Sequence, residues 1–477
     1  MRAQNDVAHL ESGRKVSWAS LLFGAKARII WTISTGISIQ AFGWFLVSTI
    51  MPSVVLQLGK PQLLSWGTTA FLALSIPGSA SAGYLKGRFG TRPLLIVATL
   101  VVILANLLGL TAPNMEVFLL ARAVQGLGEG LVLALCYILI GDALEPQEVA
   151  PVLGIQAVVW ALATLIGPSL AGLLTDWVNW RCAFVPLLLL AFVFLILVMT
   201  ERRPLTTAPA AAPKPPAALP LGRLAILGLA IIGVSFAGAT RDIARALGLI
   251  AITLALLVWC FRLDRRSAQR LFPRNLLSLR HRSTLGVWII GFMFGADSGP
   301  PIYMAYFVQV GHGSSVFLAG QFAATTAFAW SISAMFASRF AKAQGRHMLV
   351  VGPACLTTGL TVLIFWPHLS LLAAGVALAV IGIGFGLSYG FFMEFTIAAA
   401  SEGERDVTSG AIPTFESICA AVGAALVGLL GNAAGFGGLG VRDIPPAVPA
   451  AVFGVSALCS LFILGCAIRF WRLVDRT

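Results

Sequence analysis

Five ionisable side chains lie inside long apolar stretches of the chain: Arg122, Glu129, Asp297, Glu394 and Glu416. A charge among apolar neighbours is costly, so such a residue is usually retained for a purpose. A carboxyl group in a medium of low dielectric constant can load and release a proton, and a buried arginine can bind anionic groups or tune a nearby carboxylate. We therefore expect proton-binding roles for Asp297, Glu416, Glu129 and Glu394, and a role in substrate binding for Arg122.

Each of these residues also has a structural interpretation, and the sequence leaves both open. Arg122 could bond backbone carbonyls and fix its helix, and Glu129 could simply neutralise Arg122. Asp297 precedes Gly299-Pro300-Pro301, which breaks a helix, so it could cap the helix that restarts there. Glu394 lies near the end of its apolar stretch, so it could have a structural role instead of binding a proton.

Several neutral residues could line a cavity beside these charges: Gln125, Trp44, Tyr303 and Phe307. Aromatic side chains are also common where a helix meets the membrane surface, so the three aromatic residues could instead face lipid. The glycines Gly382, Gly384 and Gly386 lie within an apolar stretch and follow no predicted strand, which indicates close helix packing and not a nucleotide-binding loop.

The composition identifies the elements that must position these residues. The chain has 477 residues, of which 58% are hydrophobic and 11% are charged, whereas a soluble domain carries roughly 25% charged residues. A protein with so few charged residues cannot cover its surface with charge, so most of that surface must face lipid. Apolar stretches long enough to cross a bilayer as helices lie near 29–51, 64–84, 91–112, 117–140, 150–174, 182–200, 222–239, 245–262, 284–307, 316–338, 347–366, 369–397, 409–430 and 450–470.

The basic residues predict how these fourteen spans are oriented. If both termini are cytoplasmic, 26 of the 32 lysines and arginines fall on the cytoplasmic side and five on the other. Basic residues concentrate in cytoplasmic loops, so this asymmetry supports an even number of spans. The net charge of +13 then faces the anionic inner leaflet, and nucleic acid is not expected as a partner.

The spacing of the spans predicts two six-helix halves around a two-helix insert. The proposed order is a cytoplasmic N-terminal tail (1–28), an N-terminal half (29–200), a Pro/Ala-rich cytoplasmic linker (201–221), the insert (222–262), a basic cytoplasmic linker (263–283), a C-terminal half (284–470) and a cytoplasmic tail (471–477). The N-terminal tail lacks the apolar run of a secretory signal peptide.

The loop after the second span carries Gly83, Arg88, Gly90 and Arg92 at a spacing that resembles the signature loop of the major facilitator superfamily. Gly87 stands where that family usually has an aspartate that helps to latch the two halves. The stretch from Leu119 to Gly130, which includes Arg122 and Gln125, is similar to the fourth-helix motif of proton-coupled members.

The fifth span resembles the antiporter motif of that family's exporters. It places Gly154, Gly167, Pro168 and Gly172 on a face of small residues that allows close helix packing, with the proline bending the helix. Further similarities to the fourteen-helix drug:proton antiporters lie at Trp180-Arg181, Tyr303 to Gln309, Ser409-Gly410 and Gly423 to Gly428. The resemblance implies an all-α membrane protein of the major facilitator fold, with two pseudo-symmetric six-helix halves and two extra central helices.

Two departures from that family concern the acidic residues. Gly43 stands where many relatives have Asp or Glu in the first helix, and Glu416 stands where relatives commonly have Arg in the thirteenth. We therefore hypothesise that Asp297 and Glu416 supply the coupling carboxylates, with Arg122 near the cavity of the first half.

The function that the resemblance implies is proton-coupled efflux of small lipophilic or amphipathic compounds across the plasma membrane by a monomer. A metabolite exporter or an importer of the same fold, with different or no proton coupling, is an alternative. A membrane-embedded enzyme or sensor is a remote one, because no loop carries a catalytic cluster. We expect no cofactor, no metal and no catalytic residues, and as partners only the substrate, protons and the lipid bilayer.

Overall fold

A computed structural model describes residues 18–24, 26–201, 221–240, 242–267, 270–340, 342–401, 404–437 and 444–475. Within these residues every regular element is a helix. The longer helices are α1 (Trp18–Phe23), α2 (Ala27–Leu58), α3 (Trp66–Phe89), α4 (Thr91–Thr111), α5 (Met115–Ala143), α6 (Pro146–Trp177), α7 (Phe184–Thr200), α8 (Leu221–Ala239), α9 (Ile243–Arg266), α10 (Arg282–Ala296), α11 (Gly299–Tyr306), α12 (Val316–Ala337), α13 (Lys342–Leu363), α14 (Leu371–Ala398), α15 (Arg405–Ala433) and α16 (Ala447–Asp475).

Each of the fourteen predicted stretches contains a helix, and twelve of the described helices are long and apolar enough to cross a membrane. The predicted second and ninth spans are the two that differ. Helix α3 is 24 residues long but rich in Gly, Ser and Thr, and the ninth stretch is divided into α10 and α11 by Asp297 and Ser298. The protein is thus a multi-pass membrane protein, and the number of fourteen spans stays a prediction.

Glycines set the distances between the helices of the N-terminal half. A Cβ atom at Gly126 would lie 2.0 Å from the carbonyl oxygen of Phe71, and one at Gly130 would lie 2.4 Å from that of Ser75. Helices α3 and α5 therefore touch backbone to backbone. This contact fixes the face of α5 that carries Arg122 and Glu129.

The glycine run of α14 has the same function in the C-terminal half. A Cβ atom at Gly382 would lie 2.1 Å from the carbonyl oxygen of Thr326 on α12, and one at Gly384 would lie 2.5 Å from that of Gly352 on α13. The interpretation of these glycines as packing residues is confirmed.

Helices α8 and α9 lie in the stretch (222–262) that is predicted to be the insert between the halves. A Cβ atom at Gly238 on α8 would lie 2.7 Å from the carbonyl oxygen of Ala425 on α15, and α8 also contacts α3. At the end of α9, buried Asp264 forms an ion pair with Arg223 and accepts a hydrogen bond of 2.9 Å from the backbone N–H of Phe272. The insert is therefore anchored to both halves. Most of the 201–221 linker lies outside the described residues.

Candidate functional site

A chain of buried polar side chains runs along α5 in the N-terminal half. Arg122 Nε donates to the carbonyl of Gly67 at 3.1 Å, and Arg122 Nη1 donates to Gln125 Oε1 at 2.5 Å. Gln125 Nε2 in turn donates to Glu129 Oε1 at 2.8 Å. The spacings of three and four residues place all three side chains on one helix face, and each is at most 3% exposed. The opposite charges of Arg122 and Glu129 are thus connected through Gln125.

Glu129 occupies the space beside Gly43 of α2. A Cβ atom at position 43 would lie 2.9 Å from Glu129 Oε1 and 3.1 Å from Oε2. The buried Oε2 atom has no hydrogen-bond partner among the residues that the structure describes. Helix α2 thus has no acid at position 43, and the side chain of Glu129 from α5 occupies the space beside it.

Aromatic rings cover the arginine end of this polar chain. The Arg122 guanidinium carbon lies 4.7 Å from the centroid of the Phe71 ring, and the ring of Trp44 meets Phe71 edge to face at a centroid distance of 6.1 Å. The cation is therefore held between a carbonyl, an amide and an aromatic face. Trp44 belongs to the surroundings of this site.

In the C-terminal half, Glu416 pairs with a tyrosine. The hydroxyl of Tyr389 on α14 donates to Glu416 Oε1 at 2.9 Å, and the Tyr389 ring contacts Phe294 and Trp330. Glu416 lies three residues after Pro413, within α15. It is half-buried, so part of its surface is accessible beside the Tyr389 ring.

Asp297 ends α10 at the break in the ninth stretch. Ser298, and not Asp297, occupies the N-cap position of α11, so the capping role considered for Asp297 is wrong. The Ser298 side chain makes no capping hydrogen bond there. Its Oδ1 atom is buried and has no hydrogen-bond partner in the described part of the chain. Glu394, by contrast, is exposed on α14, away from both buried groups.

Tyr303 and Phe307 lie in a packed aromatic core. Both are almost fully buried, with their ring centroids 5.8 Å apart, and the ring of Phe436 lies 5.3 Å from that of Tyr303. The alternative that they face lipid is therefore wrong. Their rings contact other rings, and the role of Tyr303 and Phe307 in lining a cavity stays a prediction.

The signature-loop residues surround a one-residue turn between α3 and α4. Gly90 has φ +82°, a conformation that favours glycine, and Arg92 donates to the carbonyl of Met199. Arg88 stacks on Phe89. Gly83 is helical and meets no atom within 4 Å of a Cβ position. Close by, Lys86 pairs with Asp142 at the end of α5, a contact that the motif comparison did not predict.

The small-residue face of α6 packs against the other half. A Cβ atom at Gly172 would lie 2.4 Å from Cα of Phe317 on α12, and one at Gly320 of α12 would lie 2.9 Å from the carbonyl oxygen of Pro168. A Cβ atom at Gly167 would contact Phe45 at 3.0 Å, and Gly154 is half-buried. Pro168 and Gly172 thus lie on the surface where α6 meets α12, whereas Gly167 packs against α2.

Polar contacts close one end of the seam between the halves. We call the end at which α2 begins and α16 ends the terminal face, and the other the opposite face. At the opposite face, Asp176 at the end of α6 accepts hydrogen bonds of 3.0 Å from the backbone N–H groups of Val316 and Phe317. Gln321 Nε2 donates to Ser169 Oγ at 2.9 Å. A carboxylate of one half therefore caps a helix of the other.

Two further contacts lie at the same end of the molecule. Gln309 contacts Ser53 at 3.3 Å, and Asn432 Nδ2 donates to the carbonyl of Gln62 at 3.1 Å. The halves are thus joined at the opposite face, and the buried group at Glu129 lies on the terminal-face side of this closure, since α5 runs from the opposite face at Met115 to the terminal face at Ala143.

These features define a helical membrane protein built from two joined halves, with buried charges inside the N-terminal half. The chain belongs to the Major Facilitator Superfamily, whose family model matches residues 33–424. It is therefore a transporter and not an enzyme. No group of His, Cys, Asp and Glu that could hold a metal ion occurs in the described ranges.

Relatives and solved structures of the same family are similar along most of the chain. A probable multidrug-efflux transporter of Mycobacterium tuberculosis is 25% identical over 442 residues, covering 88% of this chain and 90% of the relative. The multidrug transporter protein MdtP of Bacillus subtilis is 26% identical over 411 residues, covering 81% and 72%. The crystal structure of peptide transporter POT in complex with sulfate matches with a TM-score of 0.68 at 17% identity, covering 97% and 98%. The crystal structure of a D-xylose-proton symporter matches with a TM-score of 0.62 at 14% identity, covering 91% and 96%.

Proposed function

We propose that the protein exports small lipophilic or amphipathic compounds across the plasma membrane in exchange for protons, and that it works as a monomer. Two relatives, one named as a probable multidrug-efflux transporter and the other as a multidrug transporter, support the substrate class. The asymmetry of basic residues supports cytoplasmic termini, so the terminal face would be cytoplasmic. In this orientation the structure is closed towards the outside.

One observation carries the proton coupling: the buried carboxylate of Glu129, which has one oxygen without a hydrogen-bond partner beside Gly43. An oxygen that lacks a donor is free to take up a proton. Deprotonated Glu129 balances the charge of Arg122 through Gln125, and protonation removes that balance. The proton can therefore change how strongly α5 is held against α2 and α3.

Such a change is what alternating access requires. In this fold the two halves rock against each other around a central site. Loading a proton from outside and releasing it inside would return the empty transporter to the conformation that accepts cytoplasmic substrate. This assigns the coupling role first to Glu129, ahead of the pair Asp297 and Glu416 that the sequence suggested.

Proton flux in proteoliposomes tests the proposal. With a pH-sensitive dye inside, substrate addition should move protons through the wild-type protein. The Glu129→Gln variant keeps the shape of the side chain and cannot titrate, so coupled flux should fall at least about 10-fold. Glu116→Gln changes an exposed acid at the start of α5 and should leave the flux unchanged. Substrate-driven proton flux that survives in Glu129→Gln would remove Glu129 from this role.

Asp297 is a second candidate for proton binding, because its buried Oδ1 atom also lacks a partner. An Asp297→Asn variant distinguishes the two acids. If each carries one proton, either variant alone should lower the number of protons moved per substrate. Transport of substrate with no proton movement in the wild-type protein would instead indicate a facilitator or another coupling ion.

A further inference from the structure

We propose that Phe294, Trp330, Tyr389 and Glu416 form a binding site for the cationic group of a lipophilic substrate. We call these four residues the aromatic–acid site. The inference rests on the proposed export function, because it names the charge of the compounds that the transporter would carry. It also gives Glu416 a role different from proton coupling.

Three aromatic rings from three helices meet at this site. The ring centroids of Trp330 and Tyr389 lie 5.6 Å apart, those of Phe294 and Trp330 lie 5.9 Å apart, and those of Phe294 and Tyr389 lie 6.0 Å apart. The rings meet mostly edge to face, with interplanar angles near 67° and 72°. Neighbouring rings at such angles turn their electron-rich faces in different directions, which suits a bulky cation.

Glu416 supplies the negative charge. Its Oε1 atom accepts a hydrogen bond of 2.9 Å from Tyr389, which fixes the carboxylate beside the rings. Among the ion pairs formed by described residues, none involves Glu416. Glu129 differs, because Arg122 is connected to it through Gln125. A charge that no protein cation balances is available to a cationic ligand.

The site is accessible from the space between the halves. Trp330, Tyr389 and Glu416 are half-buried, whereas Phe385 beneath them is buried. On α12, Ala327 lies one turn before Trp330 and packs against the small apolar cluster of Ala41, Phe45 and Ala163 in the other half. Trp330 therefore follows, on the same helix face, the point where the halves touch. A ligand here would lie between the two halves.

The site also explains why an aromatic environment accompanies an acid at this position. A carboxylate beside an aromatic cluster binds a compact inorganic cation poorly, because the rings exclude the water that such an ion retains. A quaternary ammonium or phosphonium group has a large, weakly hydrated surface, which favours contact with ring faces. The predicted ligand is therefore a lipophilic organic cation.

Binding to the purified full-length protein in detergent, with no proton gradient, tests the inference. The probes are tetraphenylphosphonium, which is cationic, and triphenylphosphine oxide, which is neutral and has similar rings. Glu416→Gln should weaken binding of the cation by about 10-fold or more and change binding of the neutral probe by less than about 2-fold. Trp330→Leu should weaken binding of both.

Two matched variants keep the result interpretable. Tyr389→Phe retains the acid and the ring, so we expect the cation to bind within about 3-fold of wild type. Glu116→Gln alters an exposed acid at the start of α5 and should have no effect. Cation binding that is unchanged in Glu416→Gln would overturn the inference, as would an equal loss of both probes in a variant that unfolds at the wild-type temperature.

The binding experiment separates this inference from the proposed function. The Glu129→Gln protein should bind tetraphenylphosphonium normally even though its proton flux is lost. If the wild-type protein moves no protons yet prefers the cation through Glu416, the coupling proposal fails and the aromatic–acid site stands. If proton flux occurs but Glu416→Gln weakens binding of the cationic and the neutral probe equally, the aromatic–acid site is disproved and the coupling proposal stands.

Discussion

At the scale of single residues, the contact between Gly43 and Glu129 restricts which residue can stand at position 43. A methyl group at position 43 would lie 2.9 Å from Glu129 Oε1, closer than a carbon and an oxygen can approach without displacement. We expect Gly43→Ala to displace the carboxylate, lower the melting temperature and reduce coupled transport by about 10-fold or more. Thermal unfolding and proteoliposome flux measure both effects.

A double variant identifies the cause of that loss. In Gly43→Ala/Glu129→Ala the carboxylate is absent, so the added methyl group should no longer destabilise the protein. Gly390→Ala is the control, because a Cβ atom there meets nothing within 4 Å. Equal destabilisation by Gly43→Ala in the presence and absence of Glu129 would contradict the proposed contact.

The sequence predicted part of this site and could not predict the rest. The spacing of Arg122, Gln125 and Glu129 places them on one helix face, so their association follows from local geometry. The contact of Glu129 with Gly43 joins positions on two different helices, and it depends on how α2 and α5 are rotated. Apolar periodicity does not determine that rotation, so the lack of an acid at Gly43 could be noticed but not explained.

At the scale of helices, Asp176 determines how firmly α12 is held to the other half. Its carboxylate accepts from the N–H groups of Val316 and Phe317, which would otherwise lack partners at the start of a helix. Removing such a cap costs about 0.5–2 kcal/mol. We expect Asp176→Ala to shift the population towards conformations that are open at the opposite face.

The reaction of an introduced cysteine with a water-soluble thiol reagent measures this shift. Gln321→Cys, placed where Gln321 contacts Ser169, should react several-fold faster when Asp176 is also replaced by Ala. Ser370→Ala is the matched control, because Ser370 caps α14 from its own chain segment and spans no seam. An unchanged rate in the Asp176→Ala background would show that the cap does not hold the halves together.

The positions of the helices could largely be predicted from the sequence, and so could the break in the ninth stretch. Proline and glycine at 299–301 indicated a broken ninth stretch, and the structure divides it at Asp297 and Ser298. The role of Asp297 could not be predicted, because a shift of one residue decides which side chain takes the N-cap position of α11. Ser298 takes that position. The cap from Asp176 was missed for another reason: it joins two helices through space.

At the scale of the whole molecule, the polar contacts predict which distances change during transport. Ser53 and Gln309 come within 3.3 Å across the seam, whereas Ser34 and Gln156 come within 3.1 Å inside the N-terminal half. If the halves move as rigid bodies, a short thiol cross-linker joining cysteines at 53 and 309 should abolish transport. The same cross-linker at 34 and 156 should leave it nearly intact.

The measurement is transport before and after cleavage of the cross-link in a background without reactive native cysteines. Activity should return when the link between 53 and 309 is cleaved. Full activity with that link in place would show that the opposite face does not open, and a loss from the link between 34 and 156 would show that the N-terminal half is not rigid.

The fold could be predicted at this scale because composition, charge asymmetry and small-residue motifs all indicate a helical membrane protein. The closure of one face could not be predicted, because both conformations of a transporter share one sequence and differ by few contacts. Only the atomic contacts of Asp176, Ser169 and Gln309 show which of the two the structure represents.

The lack of a side chain at Gly43 also constrains how this chain can evolve. An acid cannot be added to α2 while Glu129 fills the same space, so a lineage that moves the acid from one helix to the other must first lose it from α5. If Glu129 is the coupling acid, as proposed above, the intermediate would carry substrate without proton exchange. Among related sequences, we expect an acidic residue at one of the two corresponding positions to exclude an acidic residue at the other.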